Sequence, residues 1–126
     1  MITDSSAHGE AGEFLERIVS LYNAGVRTRN FDGFLALLGE NSVLDFEGVP
    51  ERGELTGKAA IAQHFIDDPP DDPITVTRWK SSGNAIVAEF RWADIPEGSG
   101  CLFIEPRDGY IERITIAVGG PRRKFR

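Results

Sequence analysis

Apolar residues recur at spacings of three and four over residues 10–38 and again over 57–67. Such spacing is typical of amphipathic helices. We therefore predict a first helix from about Glu10 to Arg29, a short second helix that ends at Gly39, and a third helix near 57–67. The stripe on the first helix consists of Phe14, Leu15, Ile18, Val19, Tyr22 and Val26.

Beyond the helices the pattern predicts strands. A short extended segment is predicted at residues 42–47, where Leu44 and Phe46 alternate with Asp45 and Glu47. Four longer strands joined by hairpin-length turns follow at 74–80, 85–94, 100–105 and 110–118. Helices that precede strands in this way predict an α+β domain, with the helices packed on one face of a mainly antiparallel sheet.

Composition narrows the class of protein. The chain has 126 residues, a net charge of −6 and one cysteine, which excludes an internal disulfide and suits a reducing compartment. The acidic balance argues against nucleic-acid binding, and no apolar run is long enough for a membrane helix. The polar start resembles no signal peptide, so we predict a cytoplasmic location.

We expect a mobile segment at 1–9, one domain at 10–118 and a basic tail at 119–126.

Two stretches of the sequence resemble a known family. LYNAGVRTRNFDGFLALLGENSVLDFEG, followed by LTGKAAIAQHF, resembles the nuclear-transport-factor-2-like superfamily, in its SnoaL-like and ketosteroid-isomerase-like branch. The resemblance covers about residues 10–118. It implies a cone in which three helices pack in the concave face of a strongly curved sheet, often paired as a homodimer through the outer sheet face. Members include isomerases, cyclases, dehydratases, epoxide hydrolases and binding proteins, so the fold leaves activity open.

The resemblance to ketosteroid isomerases implies three catalytic roles, which fit this sequence unequally. Tyr22 matches the tyrosine that donates a hydrogen bond to a developing enolate, although it could also be a core aromatic residue. The carboxylate base is less clear, because spacing places Phe46 at its position. Asp45 is one residue away, and so on the opposite strand face unless a bulge turns it inward. Cys101 falls near the position of the third role, where its thiol would be a weak donor.

Asp94 is a reserve candidate for the acid or base. Ala88, Phe90, Trp92 and Asp94 share the more apolar face of the second long strand, so Asp94 could lie at the mouth of a pocket. A turn-flanking aspartate is the alternative interpretation.

Two functions of different classes remain open. In the first, the chain holds a small, largely apolar molecule in a deep pocket, with or without proton transfer next to a carbonyl. Its expected walls, besides Tyr22, are Phe46, Phe65, Phe90, Trp92, Cys101 and Phe103. In the second, the chain is a dimeric binding or assembly module with a packed interior. Candidate contact surfaces for that function are Thr75, Thr77 and Trp79, or Ile114, Ile116 and Val118.

The remaining polar residues indicate neither a metal nor a cofactor. No pair of His, Cys or carboxylate residues has metal-ligand spacing, and there is no glycine-rich phosphate loop. His64 is predicted on the solvated face of the third helix, opposite Ile61 and Phe65. The acidic run at residues 67–72 lacks the spacing of a calcium loop, so we interpret it as a solvated rim.

Overall fold

The computed structural model describes residues 2–47, 53–94 and 98–118, with side chains from residue 9 to residue 117 of those ranges. Three helices lie on one side of a mixed six-stranded sheet, which confirms the predicted α+β class. The helices are α1 (Ile2–Thr28), α2 (Asp32–Leu35) and α3 (Lys58–Asp67). The strands are β1 (Leu38–Glu47), β2 (Glu54–Thr56), β3 (Ile74–Ser82), β4 (Ala85–Trp92), β5 (Ser99–Arg107) and β6 (Tyr110–Val118).

The sheet has the strand order β2-β1-β6-β5-β4-β3. Strands β3 to β6 form the predicted antiparallel meander, whereas β1 pairs in parallel with β6 and antiparallel with β2. Helix α1 packs on β3 and α3 packs on β1. The helices therefore cover the sheet from both ends, and the space between them lies over its central strands.

The core consists of side chains that point from the sheet toward the helices. In neighbouring strands Phe90 lies opposite Gly100, and Leu102 lies opposite Ile116. Gly100 matters here because a β-carbon at this position would lie 2.5 Å from the carbonyl oxygen of Ala117 and 2.8 Å from the Phe90 ring. Its lack of a side chain lets the Phe90 ring, 1% exposed, lie across β5.

The helix boundaries differ from the predicted ones at two places. Helix α1 begins at Ile2 rather than near Glu10, because the apolar stripe marks only the turns that contact the core. Helix α2 is a single turn, and Leu38 already belongs to β1. The Leu37 carbonyl oxygen accepts a hydrogen bond from the N–H of Ile111, 2.8 Å away, so this apolar run enters the sheet. Burial alone does not distinguish the end of a short helix from the start of a strand.

A β-bulge in β3 corrects the predicted contact surface. The register with β4 shifts between Val76 and Arg78, which places Trp79 opposite Ala88 on the helix-facing side. Thr75 and Thr77 remain exposed, so they do not share a face with Trp79.

The second predicted contact surface is also wrong. Ile114 is buried in the core and Ile116 packs against it, so both point toward the helices rather than outward. The side chain of Val118, the third member of that set, lies outside the described residues.

Two predicted features fall in segments that the structure does not describe. These are the turn between the second and third long strands, at 95–97, and the basic tail at 119–126. Over the described part of the chain, none of the helices combines the length and the apolar character needed to cross a membrane.

Candidate functional site

A cavity of about 330 Å³ opens between α1, α3, the sheet and the loop of residues 68–73 that links α3 to β3. Most of its wall is apolar or aromatic. The lining residues are Tyr22, Leu44, Phe46, His64, Phe65, Asp68, Pro69, Pro70, Asp71, Trp92 and Ile116. Its volume is at the lower end of the roughly 300–1,000 Å³ of small-molecule sites.

A smaller space of about 40 Å³ adjoins this cavity on the side of the core. It shares Tyr22, Leu44, Phe65, Trp92 and Ile116 with the larger one and adds the ring of Phe90. All of its other lining side chains are hydrocarbon. The combined site is therefore apolar at its inner end and carries polar groups toward the loop.

Aromatic packing holds Tyr22 and Phe65 in place. The Tyr22 ring meets Phe34 edge-on at 6.1 Å, and Phe34 stacks on Phe65 at 5.6 Å between ring centres. Phe31 contacts Phe65 edge-on at 5.0 Å and packs directly on Gly25 of α1, where a β-carbon would lie 2.4 Å from its ring. Such tilted and stacked contacts are favourable aromatic geometries, so the helix side of the wall is well ordered by packing.

The Tyr22 hydroxyl donates a hydrogen bond of 3.3 Å to the backbone carbonyl of Asp72. Burial raises the pKa of Tyr22 above its ordinary value, and the negative charges of Asp72 and then Asp71 raise it further. The phenol is therefore a neutral hydrogen-bond donor at physiological pH.

The loop of residues 68–73 is held at its C-terminal end by hydrogen bonds. The Asn23 side chain both donates to the Ile74 carbonyl and accepts from the Ile74 N–H, each at 2.9 Å. The Asp72 carboxylate, 9% exposed, accepts a 2.9 Å hydrogen bond from the N–H of Asp94. The interpretation of the acidic run as a solvated rim is thus wrong for Asp72, and Asp68 and Asp71 line the cavity.

His64 also lines the cavity, which corrects its predicted place on a solvated helix face. Its ring lies 5.5 Å from that of Phe46 and 6.1 Å from that of Phe65, measured between ring centres. The spacing of Ile61, His64 and Phe65 already indicated this position. Residues three and four apart share one face of a helix, so the face of α3 that carries Ile61 and Phe65 also includes His64.

Asp45 lies on the outer face of the sheet, away from the cavity. It is opposite Thr115, and Arg113 forms ion pairs with both Asp45, at 3.4 Å, and Glu54, at 2.6 Å. No bulge turns Asp45 inward, whereas its neighbour Phe46 is in the cavity wall. The prediction of Asp45 as a pocket base is therefore corrected by the alternation of the strand.

Three other predicted site residues also lie outside the cavity wall. The Asp94 side chain is exposed, and its backbone N–H, rather than its carboxylate, supports the site through Asp72. Cys101 and Phe103 lie opposite Ala117 and Thr115, on the outer face of β5. The strand pleat separates them from Leu102, which contacts the apolar space on the inner face.

The predicted residues that do meet at the cavity are Tyr22, Phe46, Phe65 and Trp92, with Phe90 at the adjoining space. Within the described ranges, no three His, Cys, Asp or Glu side chains are grouped to hold a metal ion. The chemistry that these walls can support is therefore recognition of an apolar body, hydrogen bonding from the phenol, and proton exchange at the imidazole of His64.

Solved structures with a similar fold were found, although the sequence comparisons gave no match. No protein-family model matches the sequence, and no curated protein matches it. A SnoaL-like protein of Burkholderia thailandensis superposes with a TM-score of 0.70 at 14% identity, over 87% of this chain and 95% of its own. An NTF2-like protein of Mesorhizobium loti gives 0.61 at 20% identity, over 86% and 93%. A Kribbella flavida protein assigned by inference to the ketosteroid isomerases gives 0.61 at 23% identity, over 88% and 84%.

Proposed function

Because the chain has the NTF2-like fold in the form found in SnoaL-like and ketosteroid-isomerase-like proteins, we propose that it binds a small, largely apolar molecule in the cavity beside Tyr22. The observation that carries this proposal is the cavity of about 330 Å³ itself, with aromatic and aliphatic walls and few polar groups. A packed interior, which the alternative function requires, would leave no such space.

The proposal includes proton transfer next to a carbonyl group. His64 takes a proton from the carbon beside the carbonyl, and the electron pair of that C–H bond moves toward the carbonyl oxygen. Tyr22 donates a hydrogen bond to the oxygen as negative charge develops on it. The proton then returns from His64 to the same or a conjugated carbon. His64 replaces Asp45 and Asp94 in this role because it lies in the cavity wall.

Binding is tested by the fluorescence of Trp92 in a Trp79→Phe background, where Trp92 is the remaining tryptophan of the chain. We expect 2-decalone, a saturated bicyclic ketone without absorbance that overlaps tryptophan emission, to give a saturable change. An Ile116→Phe variant, which places a larger side chain in the cavity, should weaken binding at least about tenfold. Native mass spectrometry should show one ligand per chain.

The matched control is Thr115→Val, a change at the residue that precedes Ile116 in β6 and lies on the outer face of the sheet. It should leave the dissociation constant within about twofold, with both variants checked for folding by circular dichroism. Equal binding by wild type and Ile116→Phe, or no saturable signal from any variant, would overturn the cavity as a binding site.

A homodimer through the outer sheet face is the partner that we propose, because that face carries the apolar pair Val87 and Phe103 on adjacent strands. Both side chains are partly exposed in the single chain, as expected for the apolar centre of an interface. Light scattering should give twice 13.9 kDa for the wild type and one chain for Phe103→Glu. Thr77→Glu, an exposed position on the edge strand, should stay dimeric; a monomeric wild type would refute the dimer.

A further inference from the structure

We infer that the ligand of this cavity carries a protonated amine at one end of an apolar body. This inference rests on the proposed function, because it assigns a charge class to the occupant of the same site. It starts from the two ends of the cavity, which differ in character. The inner end is hydrocarbon, whereas the loop end carries the carboxylates of Asp68 and Asp71.

Among the described lining residues there is no Lys or Arg, and His64 is the only side chain of the wall that can become positive. The buried Asp72, whose charge acts at the Tyr22 hydroxyl, adds a third carboxylate near this end. A carboxylate or phosphate on the ligand would therefore meet like charge at the loop, and its repulsion would add to the cost of leaving water. A cation at the same place meets opposite charge.

Aromatic faces next to the loop favour the same ligand class. Tyr22, Phe46 and Trp92 belong to the same wall as the two aspartates, and the negative face of an aromatic ring attracts an ammonium group. The charges of Asp72 and Asp71 also act at the Tyr22 hydroxyl, where they contribute to its raised pKa. Their negative potential therefore extends into the cavity.

The geometry also gives the orientation of the ligand. The apolar body lies in the cavity against Leu44, Trp92 and Ile116, toward the adjoining inner space, because no charged side chain lines that space. The ammonium lies at the loop end, where the side chains of Asp68 and Asp71 are exposed and water can complete its hydration. Partial hydration keeps the desolvation cost of the cation small relative to its attraction to the carboxylates.

Three probes that share one hydrocarbon cage test the inference. They are 1-adamantylmethylamine, 1-adamantylmethanol and 1-adamantanecarboxylate, titrated at pH 7 and low salt against the Trp79→Phe chain with calorimetry and Trp92 fluorescence. We expect the amine to bind about tenfold more tightly than the alcohol, and the alcohol more tightly than the carboxylate. The preference should shrink as salt is raised.

Substitution of Asp68 and Asp71 tests whether these two carboxylates cause the preference for the amine. In the double variant Asp68→Asn with Asp71→Asn, the amine and the alcohol should bind within about twofold of each other, while the alcohol keeps its wild-type affinity. The control is Asp32→Asn with Asp67→Asn, which makes the same change of charge at two exposed residues outside the cavity wall. That control should retain the preference for the amine.

The outcomes separate the two proposals. Equal affinity for all three probes, or tightest binding of the carboxylate, would overturn the charge inference and leave the cavity as a binding site. Loss of the preference in the control as well would also overturn it, because the effect would then come from the net charge of the protein. Binding of none of the probes or of 2-decalone would remove the proposed function and this inference with it.

Discussion

Neighbouring residues of one strand lie on opposite faces of the sheet and have different surroundings there. Phe46 lies in the cavity wall, and Asp45, the residue before it, is paired with Arg113 on the outer face. The same contrast recurs on β5, where Leu102 contacts the inner apolar space and Cys101 and Phe103 face outward. A shift of one residue thus decides whether a carboxylate is available for chemistry or serves in a surface ion pair.

The contrast between the two faces explains which elements supply the polar groups of the cavity. On the described strands the inner face supplies only apolar and aromatic walls to the cavity, through Leu44, Phe46, Trp92 and Ile116. Every polar lining side chain comes instead from α1, α3 or the loop of residues 68–73. The sheet gives the shape of the site, and the helices and the loop give its chemistry.

The largest expected effect compares the two faces directly. Tyr22→Phe should lower the rate of deuterium exchange at the carbons beside the carbonyl of 2-decalone by about 10²-fold, because the enolate oxygen loses its donor. His64→Gln should lower it at least as much. Asp45→Asn, on the outer face, should change it less than about twofold. Proton NMR in deuterium oxide measures all four proteins.

Either of two results would break this comparison. A loss in Asp45→Asn as large as that in Tyr22→Phe would show that the outer-face carboxylate takes part in the reaction. Wild-type exchange no faster than in buffer would remove proton transfer and leave binding alone. Folding of each variant is checked by thermal denaturation, so that a loss of rate is not a loss of structure.

A smaller effect concerns the pH dependence of stability. The pKa of Tyr22 is raised on folding, so its contribution to stability is fully present below about pH 10, the ordinary pKa of tyrosine, and is lost at higher pH as the unfolded chain ionises first. Between pH 8 and 11 the wild type should lose about 1.4 kcal/mol of unfolding free energy that Tyr22→Phe does not lose.

Urea titrations at pH 8, 10 and 11 provide the measurement. Tyr110→Phe, a change at the exposed tyrosine of β6, is the matched control and should retain the loss that comes from Tyr22. If the unfolding free energies of wild type and Tyr22→Phe depend on pH in the same way, the Tyr22 phenol is as well solvated in the folded chain as in the unfolded one. That result would contradict its burial in the cavity wall.

Most of the fold was predictable from local patterns. The periodicity of α1 and α3 and the four hairpin-linked strands follow from side-chain spacing and turn residues, and the resemblance to the NTF2-like superfamily is confirmed at the level of fold. The parallel pairing of β1 with β6 did not follow, because it joins segments far apart in sequence. The bulge that turns Trp79 inward was not predictable either, because the alternation of inward and outward residues assumes a strand without a register shift.

The site was only partly predictable, for reasons that differ by residue. Tyr22, Phe46, Phe65 and Trp92 reached the cavity because an apolar face must be buried somewhere near the helices. Cys101 and Phe103 were assigned by spacing and hydrophobicity without knowledge of which face of β5 is inner. Asp72 was missed because its burial depends on a hydrogen bond to the backbone of Asp94, a contact that composition does not reveal.

The single proton of the Tyr22 phenol has a consequence for the loop beside it. That proton is donated to the Asp72 carbonyl, so a ligand oxygen that accepts it, as proposed above, would leave this carbonyl to bond water or another donor. The two bonds between Asn23 and Ile74 persist, since neither atom of that pair faces the competition. Ligand binding would therefore change a hydrogen bond of the loop at Asp72, two residues before the position that Asn23 holds.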